Sequence, residues 1–520
     1  MQWKRSLTFQ TFLICLLTSL LFLEMSVFFG TLKGRATQKF KQIYSDMNSN
    51  SNNQNLQEDV GPASNDSQSY ISGVYYTNWS PYAPRNHFPH DMNFHRITNV
   101  FYSFFVVDPK SGTVKSSDEW SDFQMDLYKK FYPQFKAALL SSSSSSTFQS
   151  HKKEMLPMGC IGELFYLKYS SILPSLHGDG VHRNFKVSMS VGGWSNRDAF
   201  PIIVRDKNKF DTFIRTCVET MFQYGFDGLD IDWEFPQNDG LEPKMYLTMI
   251  RRLREALDDL ERVIFQDEHH SEHFLLTVAV PAFKEKLQVL PLRDMDAYVD
   301  LWNLMAYDYH GEWSELTGYH SNLYSEDSNH VHKRHFQDEE NQLNADSAVK
   351  YLLENFGINS RKVVLGMAAY GRGFTRVKTS ANSGNYIGKP YNGVGGASEG
   401  EPGMWLYNQL PLPGTLESFD PKSVSAYSFD PKSKTFVGYD NVDSMRCKAQ
   451  YVKNHNLAGG FWWESCGDNH KDEQKSLLNA FTNDLGSLAK QQPSIYTSAH
   501  VIRYYLKNYP QGFLSRVFKG

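Results

Sequence analysis

Cysteine is scarce in this chain: five in 520 residues, at Cys15, Cys160, Cys217, Cys447 and Cys466. Their scatter excludes a disulfide-dense scaffold and any metal-ligand spacing, and no cysteine-dense module is appended. One or two bridges stay open in an oxidising compartment, with no assignable pairing. A basic excess is missing too. Lys and Arg number 53 against 57 Asp and Glu, a net charge of −4, so nothing marks a nucleic-acid partner. There is no HExxH pair. His269, His270 and His273 cluster, as do His330, His332 and His335, but in charged, loop-like segments that read as solvated side chains, not metal ligands. No phosphate-cradling glycine loop is present, and no cofactor or metal is expected. Ser190, Gly192 and Gly193 lack the His–Asp partner pattern of a nucleophile elbow.

What is present is a 41% hydrophobic content and 14% aromatics, enough for one large core and appendages. At the N-terminus Lys4 and Arg5 precede an apolar run from Phe9 to Leu23 that resumes past Glu24 to Phe29. This reads as a secretory address over residues 1–30, either a cleaved signal peptide or a signal anchor holding the chain to a membrane. Residues 31–69 read as a linker, rich in Asn, Ser and Gln from residue 45. Asn65-Asp66-Ser67 is a glycosylation sequon within it. Asn78-Trp79-Ser80 also fits that pattern but falls in folded sequence.

From Ile71 onward strands alternate with helices. Strand candidates are Gly73–Asn78, Ile97–Val106, Phe185–Ser190, Phe226–Glu234, Phe274–Val280, Asp300–Asp308, Lys362–Ala369 and Ala458–Trp463. Helical periodicity marks Phe210–Tyr224, Lys244–Leu260, Ser347–Phe356 (stopped by Gly357) and Val442–Asn454. Eight strands interleaved with helices predict an α/β fold, a parallel (β/α)8 TIM barrel spanning residues 70–488, with its site at the carboxyl ends of the strands. The segment from Phe374 to Val437 is too long for a loop and reads as a small α+β insertion between strands seven and eight. Residues 136–158, with the run Ser141–Ser146, read as a flexible loop. The tail from residue 489 to 520 carries no motif.

The most informative stretch is Phe226-Asp227-Gly228-Leu229-Asp230-Ile231-Asp232-Trp233-Glu234. On a strand Leu229, Ile231 and Trp233 face one way and Asp230, Asp232 and Glu234 the other. Carboxylates stacked on one buried face repel one another and lose hydration. Folding gains nothing from that, whereas proton transfer near neutral pH needs carboxyls whose pKa is raised. Asp227 is out of phase and reads as structural.

Asp227-x-x-Asp230-x-Asp232-x-Glu234 resembles the DxxDxDxE signature of the family 18 glycoside hydrolases, the chitinases. Ser190-Val191-Gly192-Gly193-Trp194 is similar to the family's SxGG strand end and Met305-Ala306-Tyr307-Asp308 to its MxYD motif. Tyr370-Gly371-Arg372 and Gly459-Gly460-Phe461-Trp462-Trp463-Glu464 complete the set in family order, and the ending looks most like fungal members, sporulation-type chitinases among them. The resemblance implies a retaining, substrate-assisted endochitinase acting on chitin or chitooligosaccharides, a monomer, secreted or in a cell or spore wall. By resemblance Glu234 is the general acid, Asp232 holds the substrate acetamido group, Asp230 couples to Asp232, and Tyr307 donates to the acetamido oxygen. Tyr75, Phe104, Gly193, Trp194, Met305, Asp308, Arg372 and Trp463 match cleft positions, Trp463 as the floor under the sugar and Met305 near the acetyl methyl. Trp462 alternates away towards the core, and Trp405 in the insertion is either a sugar-stacking ring or packing. Many relatives carry Pro shortly before Tyr-Gly-Arg, where this chain has Ala368 and Ala369. The alternatives are a chitin-binding lectin on the same fold and a chitobiose-core endoglycosidase; family lectins lack the catalytic glutamate, which here is present.

Overall fold

Each of the eight apolar runs becomes a strand, and the last closes on the first. The computed structural model describes residues 68–132, 156–173, 176, 181–266, 270, 272–325, 343–379, 386–398, 401–490 and 495–519. They belong to one compact unit, Ser67–Gly520. The N-terminal apolar segment, the Asn65 sequon, the serine run, His269 and the triplet His330, His332 and His335 lie outside the described residues. Among the described residues no helix is long and apolar enough to cross a membrane.

The barrel strands are β1 (Ile71–Thr77), β2 (Asn99–Val107), β3 (Lys186–Gly192), β4 (Gly228–Asp232), β5 (Leu275–Pro281), β6 (Leu301–Met305) and β7 (Val363–Ala368). After an insertion comes the eighth barrel strand, Gly459–Trp463. Neighbours pair in parallel around the circle, and Ile71 opposite Gly459 makes the closing register. Alternation within each strand sends one row of side chains to the barrel interior and the other to the helices. Leu229 and Ile231 are wholly buried, and Trp233, on their side, stacks on Phe200 at 5.2 Å and meets Tyr246 edge-on.

Helices cover the outside. Among them are α1 (Gly159–Tyr169), α2 (Lys207–Gln223), α3 (Glu242–Phe265) and α4 (Ala345–Lys350). Asp206 caps α2 by accepting from the amides of Asn208 and Lys209, and its Phe210, Phe213, Ile214, Cys217 and Met221 form the buried stripe. The predicted helix at 347–356 is α4 followed by a π turn, Tyr351–Asn355, and Gly357 follows with φ 68°, a left-handed stop.

The insertion is an antiparallel sheet of β8 (Tyr370–Phe374), β9 (Met404–Leu406), β10 (Glu417–Asp420), β11 (Ser425–Asp430) and β12 (Thr435–Tyr439). Its first strand starts at Tyr370, ahead of the expected boundary, and the single 3-10 turn Tyr407–Gln409 is the helical content of the sheet's described residues. Helix α5 (Val442–Asn454) returns the chain to β13, the Gly459–Trp463 strand.

One expectation is corrected. Cys160, Cys217, Cys447 and Cys466 are free and buried, so none of the four forms a bridge; burial suits a cysteine as a small apolar side chain. His273 is exposed, as a solvated histidine is, and lies 3.3 Å from Asp300 and 3.4 Å from Glu261, whose carboxylates push it up to about 9. The motif-free tail carries helices among its described residues. After α6 (Leu477–Leu485) it forms α7 (Ala499–Asn508) and α8 (Ser515–Lys519). The Tyr496 hydroxyl reaches the carbonyls of Phe222 (3.2 Å) and Phe226 (3.0 Å), and Tyr505 donates to Gln223 at 2.6 Å. These hydroxyls add donors at the end of α2 and the lead into β4, the Phe222 carbonyl also accepting the Gly225 amide at 3.3 Å. Asn78 is buried and donates to Ser117 at 2.8 Å, so its amide nitrogen is engaged within the fold.

Candidate active site

Inside the barrel, Asp230 is fully buried and accepts four hydrogen bonds. Tyr75 (2.9 Å) and Ser190 (2.7 Å) donate to Oδ2; Thr277 (2.6 Å) and Asn303 (3.2 Å) donate to Oδ1. Burial raises its carboxyl above the ordinary range, and the four donors pull it back. Asp232, two residues on, has the opposite endowment. Its Oδ1 is buried with no hydrogen-bond partner among the described residues. Burial pushes it well up, and the charges of Glu234 and Asp230 push further. Of the neighbouring aspartates, the one without donors is therefore the one that keeps a proton.

Glu234 follows β4 and opens partly to solvent. Burial and the Asp308 charge push it up to about 7; Arg197 and the Trp194 amide pull the other way. That amide is aimed by two glycines. Gly192 has φ 127°, and a Cβ there would lie 2.0 Å from the Asp232 carbonyl oxygen. At Gly193, φ is 81°, and a Cβ would lie 2.6 Å from the Phe104 ring. Only glycine permits both the turn and the close approach.

Tyr307 ends the sixth strand's segment, almost buried. Burial and the nearby carboxylates, Asp232 first, raise its phenol, so it holds its proton as a donor. Next to it Asp308 has φ 61° and accepts from Tyr370 (2.7 Å) and Arg372 (2.9 Å), with His320 Nδ1 at 3.7 Å. Burial opposes ionisation of Asp308, but Arg372 and the nearby His320 outweigh it and hold the carboxyl well below the usual range. The site thus contains a charged carboxylate, Asp308, beside protonatable Glu234.

The aromatic wall is continuous. Trp463 lies 5.7 Å from Phe104 in a stacked pair, 5.5 Å from Tyr75 and 6.4 Å from Trp79. It packs with Met305 against one cluster containing Tyr75, Tyr307 and Phe461. Trp194 is exposed, its ring under the Arg197 guanidinium at 4.1 Å. A cleft of about 570 Å³ runs past Trp79, Tyr82, Arg85, Glu401 and Trp463.

All twelve predicted site residues belong to this region or its supports. Asp227 is apart from it, ion-paired with Lys168. Trp462 is core, edge-on to Phe481. Trp405 resolves as packing: its ring nitrogen donates to the Gly395 carbonyl, and the ring abuts Gly373 and Gly396. Sequence reasoning missed Thr277 and Asn303, although each is the lone polar residue of an apolar strand and sits on the inward parity. It also missed exposed Trp313, over which Arg372 lies at 5.0 Å, and the partners of Glu464. Among the described residues no group of side chains could hold a metal ion.

Fold and site define a barrel hydrolase with a protonatable glutamate at the carboxyl end of its fourth strand. The chain belongs to glycosyl hydrolases family 18, whose model matches residues 72–468. It is 44% identical over 463 residues to sporulation-specific chitinase 2 of Saccharomyces cerevisiae, covering 87% of this chain and 85% of that protein. Endochitinase 1 of Metarhizium robertsii is 31% identical over 417 residues, 80% of this chain and 85% of the relative. Among solved structures, the catalytic domain of the psychrophilic chitinase B from Arthrobacter TAD20 superposes with a TM-score of 0.65 at 22% identity, over 82% of this chain and 98% of that one. A chitinase from Trichuris suis gives 0.62 at 23%, over 80% and 100%. At those identities the likeness is one of fold.

Proposed function

We propose that the protein is an endochitinase that cleaves β-1,4 bonds between N-acetylglucosamine units with retention, using the substrate's acetamido group as nucleophile. The observation that carries this reading is the unpartnered, buried Oδ1 of Asp232 beside the raised carboxyl of Glu234. Ordinary retaining glycosidases need a carboxylate nucleophile. Here the carboxyl next to the acid lacks donors, so it suits an N–H brought by the ligand.

In the first step the acetamido carbonyl oxygen attacks the anomeric carbon as the bond to the leaving glycosidic oxygen breaks. Glu234 gives that oxygen its proton. The Tyr307 hydroxyl orients the carbonyl, and Asp232, protonated on its other oxygen, accepts the acetamido N–H at Oδ1 and so stabilises the oxazolinium cation. Asp230, held by its own four donors, supplies the negative charge beneath it. In the second step water attacks the anomeric carbon, Glu234 takes its proton, and the acetamido group is released with configuration retained. Trp463 and Phe104 face the sugar with apolar surface, and Asp308 and Arg372 offer it polar contacts.

Product profiles on N-acetylglucosamine oligomers test this, with the Glu234→Gln variant beside wild type. Wild type should release shorter oligomers of retained anomeric form, and the variant should turn over at least about a hundredfold more slowly. Inverted products, or full activity in the variant, would overturn the reading.

The same proposal extends to place of action. Lys4, Arg5 and the following apolar run support entry into the secretory pathway and action on a cell or spore wall, released or held by that segment. Fractionation of the full chain after alkaline carbonate washing separates the two.

A further inference from the structure

The residue after Trp463 is Glu464, a carboxylate that the proposed reaction does not use. It is 1% exposed, in a position where an unpaired charge would be expensive. Its Oε1 receives Arg85 at 2.6 Å and its Oε2 receives Thr77 at 2.6 Å. Because Thr77 spends its hydroxyl proton on Glu464, the 2.7 Å contact between Thr77 and Ser80 has Ser80 as donor. Arg85 also lies over the Trp79 ring at 5.8 Å. The chain between Thr77 and Arg85 carries Trp79, and the chain that ends at Glu464 carries Trp463. The two rings lie 6.4 Å apart and line one cleft.

We propose that Glu464, Arg85 and Thr77 form a positioning clamp that fixes Trp463 and Trp79 relative to one another as one sugar-binding floor. The inference rests on the chitin reading above. Three features distinguish a clamp from a generic surface pair. Both carboxylate oxygens are used, the ion pair is almost excluded from solvent (side-chain exposure 10% for Arg85 and 1% for Glu464), and its partners come from loops at opposite ends of the sequence that meet only at the barrel seam. The clamp residues are positioning residues: they act on the ligand through the indoles.

Binding of N-acetylglucosamine hexamer, followed by tryptophan fluorescence in a Glu234→Gln background, tests this without turnover. Adding Glu464→Gln, which keeps shape but removes the charge, should weaken hexamer binding about tenfold. Thr77→Val, which removes a single donor and serves if the first variant does not fold, should weaken it roughly threefold. The thermal midpoint read in parallel separates a displaced floor from general loosening. Unchanged hexamer affinity in a folded Glu464→Gln or Thr77→Val protein overturns the clamp while leaving the chitinase reading intact. Failure of the Glu234→Gln parent to bind hexamer overturns both.

Discussion

Tyr75 and Asp230 stand 155 positions apart in the chain and share a 2.9 Å hydrogen bond in the barrel interior. The phenol is buried and raised, by desolvation first and then by Asp230 and Asp232, so it donates and does not ionise. Asp230 can therefore stay charged while Asp232 carries the proton.

Tyr75→Phe removes one of the four donors and leaves the ring in place. Asp230 then competes with Asp232 for the proton, and kcat should fall roughly tenfold, the scale of one charge-assisted hydrogen bond, with little change in KM. Steady-state kinetics on a chitooligosaccharide check this. A fall in kcat below twofold would mean that Ser190, Thr277 and Asn303 suffice.

The general acid must be protonated, and Glu234 titrates at about 7. Activity should therefore decline as pH rises through that value. Asp308→Asn removes a negative charge that raises Glu234, so the alkaline limb of kcat/KM should move to lower pH. Arg197→Ala removes a positive charge that lowers it, so the limb should move to higher pH. Profiles of both variants measure the two signs independently.

The same carboxyl trades stability for function. Its folded value is above that of an unfolded glutamate, so its contribution is fully present below about pH 4.5 and is lost as pH rises through about 7. Glu234→Gln cannot ionise. It should melt close to wild type at pH 5 and higher than wild type at pH 8, by on the order of 2 kcal/mol. Thermal melts at the two pH values give the comparison, and an equal difference at both would refute it.

Much of this was legible beforehand because two periodicities are strict. The period-two run from Phe226 to Glu234 fixes which carboxylates point inward, and the apolar stripe of α2 needs no tertiary information. Glycines at 192 and 193 mark a turn, though not that a Cβ at either would strike Asp232 or Phe104. Thr277 and Asn303 were visible in principle by parity. The Arg85–Glu464 pair was not, because the pairing depends on barrel closure. The tail was opaque for another reason: Tyr496 and Tyr505 act through hydroxyls on backbone carbonyls, which leave no side-chain code in sequence.

Those tyrosines make a further prediction. Tyr496→Ala should destabilise the domain by about 3 kcal/mol, from lost burial and the lost donor at the Phe222 and Phe226 carbonyls. Removing residues 489–520 should lower the melting temperature more, by exposing Phe222 and its neighbours. Differential scanning calorimetry on both variants checks the order, and a truncated domain that melts like the full chain would contradict it.

The seam between Ile71 and Gly459 governs how the molecule can be made. A ribosome emits β1 nearly four hundred residues before its last neighbour exists, so the first strand must wait with one edge unpaired. Helices and interior ladders can form during that interval, but the seam, and with it the Arg85–Glu464 contact and the aromatic floor, is completed only when β13 emerges. Catalytic competence therefore waits on the emergence of the barrel's last strand.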